Sequence, residues 1–154
     1  MGYEWDFDLT LKYSHVLFEG FLGTLKVGIV SLILGAIGGL LLALMRMSRF
    51  YFFSWPSIAV IEFFRPTPLL IQLFWIYFAL PMIIGINFNA YTACIITLSV
   101  NTSAFFAEIY RAGIQSIDRS QWEGGKALGM KSIELMRRII LPQAVRRMIP
   151  AFLE

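Results

Sequence analysis

The sequence predicts an all-α, polytopic transmembrane helix bundle: about three full spans, a cytoplasmic loop and the start of a fourth span. Three observations carry this. Of the 154 residues, 58% are apolar or aromatic and 15% are Asp, Glu, Lys or Arg, whereas ordinary soluble domains run at about 25% charged. The apolar residues also lie in blocks. Residues 27–45 are 19 positions without a charge, about 28 Å of helix and so one hydrocarbon core. Residues 66–107 are another 42 uncharged positions, too many for one span. Finally, ten of the 13 Lys and Arg fall in two segments, Arg46 with Arg49 and the eight between Arg111 and Arg147.

Positive loops stay on the cytoplasmic side, and this sets the threading. Residues 1–16, with Glu4, Asp6 and Asp8, lie outside; an acidic start is the reverse of a signal peptide's basic region, so the segment is expected to be retained. A first helix over 21–45 leads to a basic inner turn. A second span runs outward to about Leu80, an outer loop covers 81–89, and a third helix returns over 90–109. Residues 111–147 form a cytoplasmic loop, and 148–153 open a fourth apolar segment. Other classes recede: Cys94 has no partner for a disulfide, His15 is the only histidine, and a net charge of +3 reads as topology rather than as affinity for nucleic acid.

Each element carries its own signal. In the first helix Ser31, Gly35, Gly39 and Ala43 recur every four residues, a small-residue stripe that admits a neighbouring backbone, either in a dimer or within the chain. The second span contains Glu62 and Arg65 followed by Pro66-Thr67-Pro68. Charges in hydrocarbon cost about 2.5–3.5 kcal/mol each on insertion scales, so they should face protein or water; their i,i+3 spacing lets them meet on one face. The prolines break the helix. Two readings stand: a kinked span beside a translocation path, or a helix over 50–64 along the interface with the span starting at Pro66. The third helix aligns Thr97, Asn101, Ala104, Glu108 and Arg111 on one face, which packs on a neighbour or lines a pore; Glu108 and Arg111 read as a pair.

The cytoplasmic segment is the most specific. Ser120 to Glu123 has the form of a capping box, and Gly129 is placed to end the helix that follows. A second amphipathic stretch, apolar at Ile133, Met136, Ile139 and Ile140, ends at Leu141-Pro142. Gly125-Lys126-Ala127 lacks the spacing and hydroxyl of a phosphate-binding loop. Two such helices suit a partner's groove or the lipid surface.

Glu123, Gly124, Gly125, Gly129, Ile139, Leu141 and Pro142 fit the spacing E-A-A-x3-G-x9-I-x-L-P, and with it the chain resembles the permease subunits of ABC importers, whose cytoplasmic loop carries that motif. Residues 62–80, EFFRPTPLLIQLFWIYFAL, resemble the R-G-T-P-L-L-x-Q-L-F segment of the polar amino-acid uptake branch, and AEIYRAGIQSID over 107–118 is similarly typical. The resemblance implies a single permease domain over 1–154 of the ABC-importer type, a multi-pass protein of the bacterial inner membrane that pairs with a second permease subunit and two copies of an ATPase. An extracytoplasmic solute-binding protein would deliver substrate, and membrane lipid surrounds the bundle; nucleic acid has no part. The chain itself would bind no cofactor and catalyse no reaction, ATP and Mg²⁺ belonging to the ATPase. Glu123 and Gly129, with Gly124 and Gly125, would shape the coupling helix. Trp122, Ala127 and Leu128 would supply its apolar contacts, and Ile139, Leu141 and Pro142 would lead into the next span.

Three departures stand out. Gly124-Gly125 replaces paired alanines, at about 1 kcal/mol of helix propensity each, so restoring both alanines is expected not to reduce transport. Pro66 replaces a glycine. The family continues through a fourth and a fifth span, so the chain reads as C-terminally incomplete. The expected substrate is a polar amino acid or similar zwitterion; Glu62, Arg65, Thr67, Asn101 and Glu108 are candidates for its path, and each is equally readable as packing. A passive channel, or an assembly subunit that docks on an ATPase without translocating, are the rival functions.

Overall fold

The first apolar block folds as a helix longer than its uncharged centre. In a computed structural model describing residues 12–153, α1 spans Ser14–Arg46, 33 residues; Glu19 and Lys26 lie on it rather than ending it, so it starts seven residues before the expected Phe21. Residues 1–11, with the acidic segment, lie outside the described residues. The remaining elements are α2 (Tyr51–Phe64), α3 (Leu69–Phe74), a π-helical turn (Trp75–Ala79), α4 (Leu80–Ile84), α5 (Ala90–Gln115), α6 (Arg119–Ala127), α7 (Ser132–Leu135), a second π turn (Met136–Ile140) and α8 (Leu141–Leu153). Every regular element among the described residues is helical. The helices α1 and α5 are each long and apolar enough to cross a membrane, and a third span results if the bent pair Tyr51–Phe64 and Leu69–Ile84 is counted as one.

The buried positions of α1 are Ser31, Gly35, Gly39 and Ala43, so the stripe packs within the chain. A methyl on Gly35 would lie 2.6 Å from the Thr102 side chain, and one on Gly39 would lie 2.7 Å from Phe106 Cβ and 3.0 Å from the Ser103 carbonyl. Backbones approach this closely because the side chains are missing. Leu32, Ile33, Ile37, Leu40 and Leu44 on the other face are exposed. Contacts run in step along both helices, from Gly23 at Tyr91 through Ser31 at Ile95 to Arg46 at Glu108, so α1 and α5 are parallel and residues 47–89 must bring the chain back.

That return is uneven. The Ser54 hydroxyl donates to the Arg46 carbonyl, and seven residues later Ile61 packs with Ala43 and Ala107. Seven residues are about 10 Å of α2, but Ala43 to Arg46 is only about 4.5 Å of α1, so α2 lies steeply across the bundle. The axis then bends by 108° into Leu69–Ile84, which climbs beside α5. The connection expected over 81–89 is shorter than that, since residues 81–84 are helical. Gly85, with φ 71°, ends α4, and Asn89 caps α5 by accepting from the Thr92 amide at 2.7 Å.

Both π turns precede a Leu-Pro pair. Proline has no amide proton, and in an α-helix its ring crowds the carbonyl four residues back. Widening the turn relieves this: the amides of Leu80 and Leu141 bond to carbonyls five residues back, Trp75 and Met136. Leu141-Pro142 therefore does not end a helix as expected, and the chain stays helical from Ser132 to Leu153, with no new start at Met148. Likewise α5 continues six residues past Ile109, so the first part of the expected cytoplasmic loop belongs to it.

Candidate functional site

Two regions hold the candidate residues. The first is the elbow where α6, α7 and α8 fold back on the end of α5. Asp118 caps α6, its carboxylate accepting from the Ser120 amide at 3.2 Å. The cap is thus two residues earlier than the Ser120 box, because Asp118 already sits before the first free amides. The other end is a Schellman motif: the Met130 amide bonds to the Gly125 carbonyl at 3.1 Å and the Gly129 amide to Lys126 at 2.9 Å. This requires the positive φ of Gly129, 74°.

Ile117, Leu135, Ile140, Ala144 and Met148 form the elbow's core, with Trp122 and Ile139 packed against it. Trp122 is thus turned inward, while Glu123, Gly124, Ala127, Leu128, Leu141 and Pro142 face out. Leu128 and Ile133 are 80% and 82% exposed. The two glycines differ. Gly124 has open space where a Cβ would go, but Gly125 is buried with its missing side chain replaced by the Leu135 Cδ1 methyl. They are not equivalent, so the expected neutrality of restoring both alanines resolves into two separate effects.

The second region is the polar face of α5. Glu108 is shared by two guanidinium groups: Arg46 from the end of α1 at 2.7 Å, and Arg111 one turn on, which also reaches Gln115. The side chains of Glu108, Arg46 and Arg111 are 18%, 20% and 26% exposed. The Glu108–Arg111 pair was legible from spacing; Arg46, 62 residues away, was not. Glu62 and Arg65 do not pair with each other among the described residues. Arg65 instead lies over the Phe105 ring, 5.9 Å from its centre. Glu62, Arg65, Arg46, Glu108, Phe105 and Pro66 surround an open hollow of about 430 Å³. The remaining two path candidates lie apart from it. Thr67 donates its hydroxyl to the Phe63 carbonyl at 2.5 Å, and Asn101 reaches the Phe64 carbonyl and Gln72 Oε1, both at 3.4 Å. Thr97 is buried, its hydroxyl donating to Ala93.

Sequence reasoning missed Gln72. It is 4% exposed, and its amide donates to the carbonyls of Phe64 at 2.7 Å and Thr67 at 2.9 Å. The signal available was an amide within an otherwise apolar run directly after two prolines.

Residues 24–153 match the family described as binding-protein-dependent transport system inner membrane component. The arginine transport system permease protein ArtQ of Bacillus subtilis (strain 168) is 39% identical over 146 residues, covering 95% of this chain and 67% of ArtQ. A crystal structure of an amino acid ABC transporter with histidines superposes with a TM-score of 0.88 at 40% identity, covering 97% of this chain and 69% of that one. The MetNI methionine ABC transporter in an inward-facing conformation shares the fold, with a TM-score of 0.69 at 24% identity over 91% of this chain and 68% of that one. The chain therefore spans about two thirds of the length of the proteins it matches.

Proposed function

The chain belongs to the family of binding-protein-dependent transport system inner membrane components, and from that premise we propose that it is the transmembrane permease subunit of an ATP-driven, binding-protein-dependent amino-acid importer. The observation that carries the reading is the family match over residues 24–153, joined to a 40% identical structural relative that is an amino acid ABC transporter. The protein lies in the bacterial inner membrane with the start of α1 outside and the elbow in the cytoplasm, as the cations of the elbow favour. It pairs with a second permease subunit and two ATPase copies that hold ATP and Mg²⁺, and it receives a polar amino acid from an extracytoplasmic binding protein.

The outward side of α6, with Glu123, Gly124, Ala127 and Leu128, is the part offered to the ATPase. Leu128, exposed beside the tight Gly129 corner, is an anchor of the kind a groove accepts. The hollow between Arg65, Glu62 and Glu108 is the stretch of the path where a zwitterion would meet charges of both signs. Hydrolysis belongs to the partner; this chain moves substrate and transmits the stroke.

The test is retention of an ABC ATPase on the purified permease, together with substrate-dependent uptake by vesicles containing both. Gly129→Asp places a side chain at positive φ and a negative charge at a helix C-terminus, both unfavourable. It is expected to abolish retention and uptake together. Retention unchanged by Gly129→Asp would remove the elbow as the docking element, and retention without uptake would leave only an assembly subunit.

A further inference from the structure

The break in the second segment is built on an exchange of donors. In an uninterrupted helix the amide at position 68 would bond to the carbonyl at position 64. Pro68 has no amide proton, so the Phe64 carbonyl loses its partner. An orphaned buried carbonyl is costly, more so at membrane depth where water does not stand in. The Gln72 side chain supplies the missing donor at 2.7 Å, and the same amide closes on the Thr67 carbonyl at 2.9 Å. Its own oxygen accepts from Asn101 on α5 at 3.4 Å. Every polar atom of this 4% exposed side chain is thus engaged, and the carbonyls it holds lie on either side of Arg65 and Pro66.

We propose that Gln72 is a positioning residue: its amide replaces the donor lost at Pro68, fixes the 108° bend, and so presents Arg65 and Glu62 to the hollow beside Glu108. The consequence for transport rests on the function proposed above; the consequence for the bend does not. Gln72 does not line the hollow, and its side-chain hydrogen bonds go to the backbone of Phe64 and Thr67 and to Asn101, so it acts on the hollow through the backbone of 64–67. The two short bonds come from Gln72 and the two long ones from Asn101. Gln72 therefore holds the bend, and Asn101 ties the bend to α5.

Two readouts on the full chain in phospholipid vesicles test this. In a Cys94→Ser background, spin labels at positions 55 and 83 report the distance across the break. Gln72→Met matches the length of the side chain but has no donor, and it is expected to broaden that distance distribution. Asn101→Ala, which leaves both short bonds, is expected to keep it narrow. The second readout is uptake of radiolabelled L-arginine and L-glutamine with the partner ATPase. Gln72→Met is expected to raise KM about fivefold, the size of one lost buried hydrogen bond, and to add nothing further in an Arg65→Gln background, because both changes act through one guanidinium. A distribution as narrow in Gln72→Met as in the unsubstituted chain overturns the proposal. So does equal broadening by Asn101→Ala, or additivity of Gln72→Met with Arg65→Gln. If the unsubstituted chain takes up neither amino acid, the proposed substrate class falls, and the distance across the break still decides the role of Gln72.

Discussion

Along α1 the buried residues are Ser31, Gly35, Gly39 and Ala43, meeting Ser103 and Ala107 of α5; in the elbow they are Ile117, Leu135, Ile140, Ala144 and Met148. The first core is lined mainly by small residues, with Ile61 of α2 as its large member, and the second mainly by large aliphatic ones. Within lipid a leucine gains nothing by leaving the acyl chains for another helix, so association rests on close backbone contact between small residues. In water, burying large aliphatic groups is itself the driving force. The change of core composition falls between Ala107 and Ile117, where Glu108, Arg46 and Arg111 also gather.

The contrast can be broken or sharpened by substitution. The largest effect is expected in the elbow, where Ile140→Ala should cost about 2–5 kcal/mol. The matched change on the lipid face of α1, Leu32→Ala, should stay within about 0.5 kcal/mol. Titration with SDS in mixed micelles reads both, and equal losses would mean that the two regions share one mechanism. Next comes the reverse kind of change. Gly39→Ala adds one methyl against Phe106 and the Ser103 carbonyl and should destabilise by about 1–3 kcal/mol. Gly28→Ala meets no atom within 4 Å and should stabilise by up to about 1 kcal/mol; the same titration would expose a seam that tolerates methyls. The smallest effect separates the elbow's two glycines. Gly124→Ala is expected to stabilise by up to about 1 kcal/mol, whereas Gly125→Ala must displace Leu135 and should show a net cost of similar size. Protection of residues 116–131 from protease measures this, and identical protection in both variants would contradict the packing of Leu135 on Gly125.

What was legible in the sequence follows the same division. Small residues at intervals of four identified the buried face of α1 to the residue, because an ideal helix keeps a strict period. Glu108 with Arg111 was readable for the same reason. Arg46 was not, since nothing local links it to a carboxylate 62 residues away. The pairing of Glu62 with Arg65 was a fair inference from spacing, but the helix ends at Phe64 and Arg65 turns to Phe105 instead. Gly129 was recognised because only one kind of corner needs it there; Ser120 was mistaken for the cap because Asp118, a better placed acceptor, lies just upstream. The role of Gln72 depends on two carbonyls that become acceptors only once the chain has bent.

The buried positions from α7 into α8 are Leu135, Ile140, Ala144 and Met148, at intervals of five, four and four. The interval of five is the π turn, which inserts one residue more than an α turn would hold and so rotates everything after it by about 100°. Wound as an uninterrupted α-helix, the same residues would continue the face from Leu135 through Ile139, Pro142, Arg146 and Ile149. One surplus residue, made necessary by the proline that follows it, thus keeps a guanidinium out of the oily interior. It also sets what a length change would do: deleting one residue between Met136 and Ile140 would close the interval of five to four and leave the same face buried, but the proline would again crowd the carbonyl four residues before it.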